Sequence, residues 1–440
     1  MAAEAPALSG PWLGVAGFAA ALLLVSLRVP VAVAMGLVGA AGLYLTGGTA
    51  TVAFVLGAAP FEAVFPYSLS VVPLFVAMGV FAARAGLSAA LFRAVDAFVG
   101  RFRGGLALAT VGACAAFGAI CGSSLATAAT MARVAYPEMA RRGYAPSLAA
   151  AAIAAGGTLG VLIPPSILLV IYGLLTEQSI GELFAAALLP GLLATGLHMA
   201  AVAATLRLRP QLAPPGEPRD PALRRRVLRE VWPVAVLFLL VIGGIYVGLF
   251  SPTEAAAVGA VGAVGLAWLR GTLTAATLAD AVGETARISG MIFLVLVGAA
   301  VFNYFVETTG LPHGLAAWVR AADWPPLAVL LAVLLFYVLL GCFMDSLSMI
   351  LLTIPFVFPV VLELGHDPVW FGILVVTVAE LGLITPPVGM NLFVIQGTVP
   401  GLALATVVRG LPPFVLADLL RLALLVAFPQ LALLPAGRLP

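Results

Sequence analysis

Lysine is absent from this 440-residue chain, and charged residues of all kinds make up only 9% of it. A soluble domain carries about 25%. Too few polar side chains remain to coat folded domains of this length in water, and 63% hydrophobic residues call for lipid. Cysteine and histidine are equally scarce. Cys114, Cys121 and Cys342 lie in apolar runs without a CxxC spacing, which excludes a disulfide framework and a thiolate metal site. His198, His313 and His366 stand alone and form no HExxH, so a zinc-enzyme reading fails. The 21 basic residues, all Arg, are scattered between apolar runs and make no nucleic-acid footprint. The strict apolar–polar alternation of a lipid-facing barrel is missing too, leaving an all-α polytopic membrane protein as the fold class. Residues 1–11 carry no base, so no cleavable signal pattern is present and the first span is expected to stay.

Long apolar runs predict spans near 12–27, 31–46, 69–84, 146–176, 182–206, 231–250, 253–270, 288–307, 368–398 and 411–433. Residues 207–230, with seven Arg and five Pro, read as a cytoplasmic linker between a first half, 1–206, and a second, 231–440. Two stretches, 104–140 and 326–362, fit no single span. The first has Arg101 and Arg103 before it and Arg141 and Arg142 after it, so one helix would carry a basic cluster to the wrong side. Interruption at Gly118, Gly122, Ser123 and Ser124 instead predicts two arms of about 15 residues. Each would be roughly 22 Å long, short of a hydrocarbon core of about 30 Å. That is a re-entrant hairpin entering from the cytoplasm. The second, lacking basic flanks, is expected to enter from outside, with its tip at Met344–Ser348. The tips then point at each other.

Sliding the sequence against itself by 222 residues shows a duplication. Seven of the eleven prolines between Pro6 and Pro190 land on proline, where random placement gives roughly one. The same shift pairs Glu62 with Glu284, Ser124 with Ser346, Gly143 with Gly365 and Gly160 with Gly382. Five spans plus one hairpin per half is an odd number of crossings, so the second half is expected upside down. Such an inverted repeat with broken elements is the pattern of secondary transporters.

Each half carries a second interruption, at Gly160–Ser166 and at Gly382–Pro387, where a double proline opens a span. Freed carbonyls beside hydroxyls suit a hard cation, and half-helix N-termini suit an anion. Na⁺ sites flanking an anionic substrate are therefore expected. At the first tip, Gly122, Ser123 and Ser124 offer flexible backbone and two hydroxyls, with Thr127 one turn on. At the second, Asp345 is a carboxylate within 37 apolar-rich residues, to be read as a Na⁺ ligand or as a partner fixing the tip. Glu380 is a weaker signal and could brace the hairpin. Asn391 could line the substrate cavity or bond freed backbone. Arg133 could bind a substrate carboxylate but is expected rather to snorkel to the headgroups, and His198 to pack against a neighbour. The segments 49–66 and 272–286, each with one Glu, read as interfacial arm helices.

Several runs together resemble the large membrane subunit of tripartite ATP-independent periplasmic (TRAP) transporters, the DctM-type subunit. In the first half they are GAICGSSLAT from Gly118 to Thr127, RGY from Arg142 to Tyr144, and GVLIPPS from Gly160 to Ser166. In the second they are FMDSL from Phe343 to Leu347, TIP from Thr353 to Pro355, PVWFG from Pro368 to Gly372, and ELGLITPPVG from Glu380 to Gly389. The resemblance runs from about Val29 to the last span. It implies a Na⁺-driven importer of organic anions in a bacterial inner membrane, of the ion-transporter superfamily, with an elevator-type transport domain moving against a scaffold. It also implies a periplasmic substrate-binding protein and a separate small membrane subunit of about four helices (DctQ-type) as partners, with no organic cofactor. By position, the family's Na⁺ region falls on Ser123, Ser124, Ser166, Asp345, Ser346 and Thr385. The substrate region falls on Gly122, Ser123, Ser124, Pro165, Ser166, Pro387 and Asn391. Cys121 stands where a Ser is expected. Three rivals are a single-component Na⁺/anion symporter or antiporter, an intramembrane enzyme and a channel. The enzyme lacks a nucleophile–base set, and broken helices suit occlusion better than conduction.

Overall fold

The computed structural model describes residues 10–216 and 221–437, and every element in them is helical. The first half comprises α1 (Pro11–Ser26), α2 (Val31–Val64), α3 (Val71–Arg84), α4 (Leu87–Val99), α5 (Gly105–Cys121), α6 (Ser124–Arg141), α7 (Pro146–Leu162), α8 (Ile167–Thr176) and α9 (Ile180–Leu208). The second comprises α10 (Pro221–Tyr246), α11 (Pro252–Leu269), α12 (Ala275–Thr308), α13 (Leu311–Ala321), α14 (Pro326–Gly341), α15 (Ser346–Glu363), α16 (Pro368–Ile384), α17 (Met390–Thr398), α18 (Leu404–Gly410), α19 (Pro412–Ala427) and α20 (Gln430–Leu433). Among the described residues seven helices are long and apolar enough to cross a membrane, or up to nine if each of two bent pairs is one span. Those pairs are α7 with α8, bent by 41°, and α18 with α19, bent by 50°.

Helix ends recur under the 222-residue shift. Moving α6 and α7 forward by that amount gives the bounds of α15 and α16 residue for residue. The cause is visible in the breakers, since Pro146 and Pro368 start α7 and α16 at the same place. Gly143 and Gly365, both left-handed (φ 76° and 74°), end the preceding turns.

The helices pack in two sets. In one, α2 lies along α12 and α3 along α11, with α1 and α10 alongside. Gly298 permits the closest backbone approach there, because a Cβ would meet the Ala32 carbonyl oxygen at 2.2 Å. In the other, α7 and α16 lie at the centre, buried along almost their whole length, surrounded by the hairpin arms, α9, α18 and α19. Outward faces of the first set are apolar and exposed, with Leu239 at 65% and Val261 at 73%, as lipid contact demands.

Several expected boundaries move. The linker expected at 207–230 is helical from Pro221, where Arg226 sits 3.6 Å from Glu230 one turn on and Arg224 donates to the Ala97 carbonyl. Residues 217–220 of it lie outside the described residues. The arm expected at 49–66 is set off from the preceding span by Gly48 (φ 72°, ψ −169°) and from the next by Pro66. Its counterpart at 272–286 is continuous with the following span, because Ile288 replaces that proline in the 34-residue α12. The span expected at 411–433 is two helices, α19 and α20, divided at Phe428 and Pro429, with α18 set off before it at Leu411. Two amphipathic helices, α4 and α13, precede the hairpins at positions given no element from the sequence.

Candidate functional site

Each stretch expected as a hairpin forms two helices separated by a short break, α5 with α6 and α14 with α15. The arms α5, α6, α14 and α15 hold 17, 18, 16 and 18 residues. At 1.5 Å per residue they are about 24–27 Å long, still under a full hydrocarbon thickness. The first tip is smaller than expected. Only Gly122 and Ser123 leave the helix, with Gly122 left-handed at φ 64°. Gly118 remains helical because it serves another purpose, letting α5 touch α7: a Cβ on it would sit 2.3 Å from the Gly160 Cα. The second half repeats this contact, where a Cβ on Gly382 would sit 2.5 Å from the Gly341 Cα.

Both double prolines break their spans as expected, at 163–166 between α7 and α8 and at 385–389 between α16 and α17. Pro164–Pro165 and Pro386–Pro387 are cis. Each tip rests on the break of its own half. A Cβ on Gly122 would meet the Pro165 carbonyl at 2.9 Å, and the Gly389 amide donates to the Cys342 carbonyl at 3.3 Å.

A cavity of about 830 Å³ joins the two tips. Gly122, Ser123 and Ser124 line it from one side, and Asp345 and Ser346 from the other. Arg84 and Arg133 bring positive charge to the same cavity, against Glu284. Arg84 is held by Glu284 at 2.8 Å and Asp280 at 3.4 Å. Arg133, expected to snorkel rather than to bind a substrate carboxylate, lines the cavity. The N-termini of α6 and α15 open onto it, each presenting the positive end of a helix dipole.

The predicted oxygen donors are mostly engaged in holding those helix ends. Ser123 accepts from the Ala126 amide (3.4 Å) and Ser166 from the Leu169 amide (3.2 Å). Asp345 accepts from the Ser348 amide (3.0 Å) and hydroxyl (2.6 Å). Thr385 donates to the Leu381 carbonyl at 2.6 Å. The buried Ser346 hydroxyl has no hydrogen-bond partner among the described residues. Asn391 is fully buried and ties α17 to the first half: its side chain pairs with the Ser124 hydroxyl in both directions (2.8 and 3.0 Å) and donates to the Ala154 carbonyl at 3.2 Å. Pro165, Ser166, Thr385, Pro387 and Asn391 are not among the cavity's lining residues. They stand behind it, in or beside the breaks. No group of three or more His, Cys, Asp or Glu that could hold a metal occurs among the described residues.

Reasoning from the sequence missed Asp418 and Arg421 on α19. Arg421 reaches Glu380 at 2.9 Å and Asp418 at 3.1 Å, and Asp418 meets His198 at 3.0 Å. All four are at most 1% exposed. The signal was available, since two opposite charges three residues apart within an apolar span are never cheap.

Paired hairpins, two broken spans and a shared cavity define a polytopic helical membrane transporter. Its fold is similar to that of the Alcanivorax borkumensis YdaH transporter (TM-score 0.63, 16% identity, covering 95% of this chain and 98% of that one). It is also similar to Neisseria gonorrhoeae MtrF (TM-score 0.58, 12% identity, covering 87% and 84%). Residues 18–431 match the family described as tripartite ATP-independent periplasmic transporter, DctM component. The chain is 36% identical over 382 residues to the C4-dicarboxylate TRAP transporter large permease protein DctM of Pseudomonas aeruginosa, covering 85% of this chain and 87% of that one. It is 33% identical over 371 residues to the sialic acid TRAP transporter large permease protein SiaM of Vibrio cholerae, covering 84% and 86%. The chain belongs to the DctM family: it is a TRAP transporter large permease subunit, a membrane transport component of bacterial inner membranes and not an enzyme.

Proposed function

We propose that this chain is the transmembrane importer subunit for small organic anions, driven by Na⁺ and fed by a periplasmic binding protein, with a small four-helix DctQ-type subunit beside it. The observation that carries the reading is the single cavity shared by both hairpin tips. An anionic solute suits it because two helix N-termini and Arg133 face it, Arg84 being paired with Glu284 and Asp280. Na⁺ suits the oxygen-only set around it: Ser123, Ser124 and Ser166 from the first half, and Asp345, Ser346 and Thr385 from the second. The unpartnered Ser346 hydroxyl is the donor freest to ligate. Gly122 supplies close backbone approach on the solute side, while Pro165, Pro387 and Asn391, outside the cavity wall, hold the breaks that support it.

We infer further that the halves 1–206 and 231–440 are inverted copies. The recurrence of helix ends at 222 residues supports this, as does the opposite charge at the flanks of the two hairpins. The set around α7 and α16 is then the transport domain, sliding as an elevator past the scaffold of α1–α3 and α10–α12. Relatives' names specify C4-dicarboxylates, sialic acid and ectoine, so solute choice is assigned to the binding protein. Reconstitution with the small subunit in liposomes tests the whole reading. Uptake of candidate acids should need the binding protein, an inward Na⁺ gradient and Asp345. Uptake without the binding protein would convert the reading to a single-component symporter.

A further inference from the structure

Glu380, Arg421, Asp418 and His198 form a charged cluster that lines no cavity described above. It lies behind the tips, joining α16, α19 and α9. Its bonding is incomplete. Asp418 Oδ2, Arg421 Nε and Nη1, and His198 Nδ1 are all buried without a hydrogen-bond partner among the described residues. A buried ion pair is a poor way to gain stability alone, and apolar side chains of similar volume commonly do as well or better. Charges kept in such a place, at such a cost, serve geometry instead.

The geometry leads to both tips. Glu380 stands one turn before the second break on α16, which packs against α7, whose last helical residue before the first break is Leu162. From Leu162 the chain passes to Pro165, whose carbonyl abuts Gly122 beside Cys121. From Glu380, α16 runs to Gly382, which touches Gly341 beside Cys342. One carboxylate, held by one guanidinium, thus sits at the junction of two paths that end at opposite tips. We propose that Glu380 and Arg421 are positioning residues that set the register of both broken spans together, so that the two tips keep a common geometry. The role rests on the reading of the tips as the transport site.

Native cysteines report on it without any solute. Cys121 and Cys342 stand at the two tips, and Cys114 is buried within α5 away from them. N-ethylmaleimide labelling of the full-length chain in nanodiscs, quantified at each cysteine, is compared for wild type, Glu380→Gln, Arg421→Met and the double variant. The expected result is labelling of Cys121 and Cys342 accelerated about tenfold or more in both single variants, with Cys114 still protected. The double variant, in which Asp418 keeps only His198 as a partner, does not restore the wild-type tip rates. Tip rates within twofold of wild type in all variants would overturn the proposal. Exposure of Cys114 in step with the tips would reduce the pair to a structural brace, and so would tip rates that return to wild type in the double variant. Absence of Na⁺-driven uptake by wild-type protein would sink the transport reading while leaving the labelling pattern as measured.

Discussion

Gly118→Ala tests the hairpin–span seam by a single methyl group. That methyl would lie 2.3 Å from the Gly160 Cα and 2.8 Å from its amide nitrogen. Carbon atoms in contact sit about 3.5–4.0 Å apart, so α5 and α7 must separate by more than about 1 Å. Both clashing atoms are backbone, and no rotamer change relieves them. Overpacking of this kind costs about 1–3 kcal/mol, and the rigid neighbours put this case at the upper end, roughly 100-fold in the folded-to-unfolded ratio. Helix propensity offsets up to about 1 kcal/mol of it. Gly196→Ala on α9 is the control, since a Cβ there meets nothing within 4 Å, and it should be neutral or gain up to about 1 kcal/mol. Thermal unfolding of both purified variants in the same detergent, followed by tryptophan fluorescence, gives the comparison. Gly118→Ala matching Gly196→Ala in midpoint would refute the close crossing of α5 on α7.

Three further outcomes follow from the same structure. Asp345→Ala removes the cap of α15 and should cost about 1 kcal/mol of stability, whereas Asp345→Asn keeps an acceptor oxygen and should hold its melting midpoint while raising the Na⁺ concentration for half-maximal uptake at least tenfold. Asn391→Leu strips the Ser124 hydroxyl and the Ala154 carbonyl of their side-chain partner, a loss of about 1–3 kcal/mol readable in the same unfolding assay. His366, packed on Trp370 with ring centroids 5.4 Å apart in the turn before α16, is held below its ordinary 6.5 by burial. A depressed imidazole favours the folded state at higher pH, so its contribution is present above about 6.5 and lost as pH falls toward the folded value. The melting midpoint should therefore drop between pH 7 and 5, and His366→Gln should flatten that drop.

Most of the fold was legible because prolines and glycines mark it. The shift that superposes Pro146 on Pro368 also superposes α7 on α16, and the basic pairs at Arg101, Arg103, Arg141 and Arg142 required a hairpin rather than a span. The tips were legible as polar interruptions in apolar runs. Helices α4 and α13 were not, because their amphipathic sequences fall below the hydropathy of a span. Gly118, Gly160 and Gly382 were read as interruptions, although close helix crossing and chain breaking both call for glycine and sequence alone does not separate the two. The Glu380–Arg421 pair was illegible as a pair because its members lie 41 residues apart on different helices. How the candidate donors divide between capping and lining also needed coordinates: Ser166 and Thr385 carry the right chemistry, yet stand outside the cavity wall.

The central claim is that the two tips together make one Na⁺ site, and it can be tested without partner or solute. Thermal unfolding of the purified chain is measured in NaCl, KCl and choline chloride at equal ionic strength, for wild type and Asp345→Asn. The account predicts that Na⁺ alone raises the wild-type midpoint, saturably, and that the variant loses this response while melting normally in choline. An equal shift in K⁺, or a full Na⁺ response in Asp345→Asn, would contradict it.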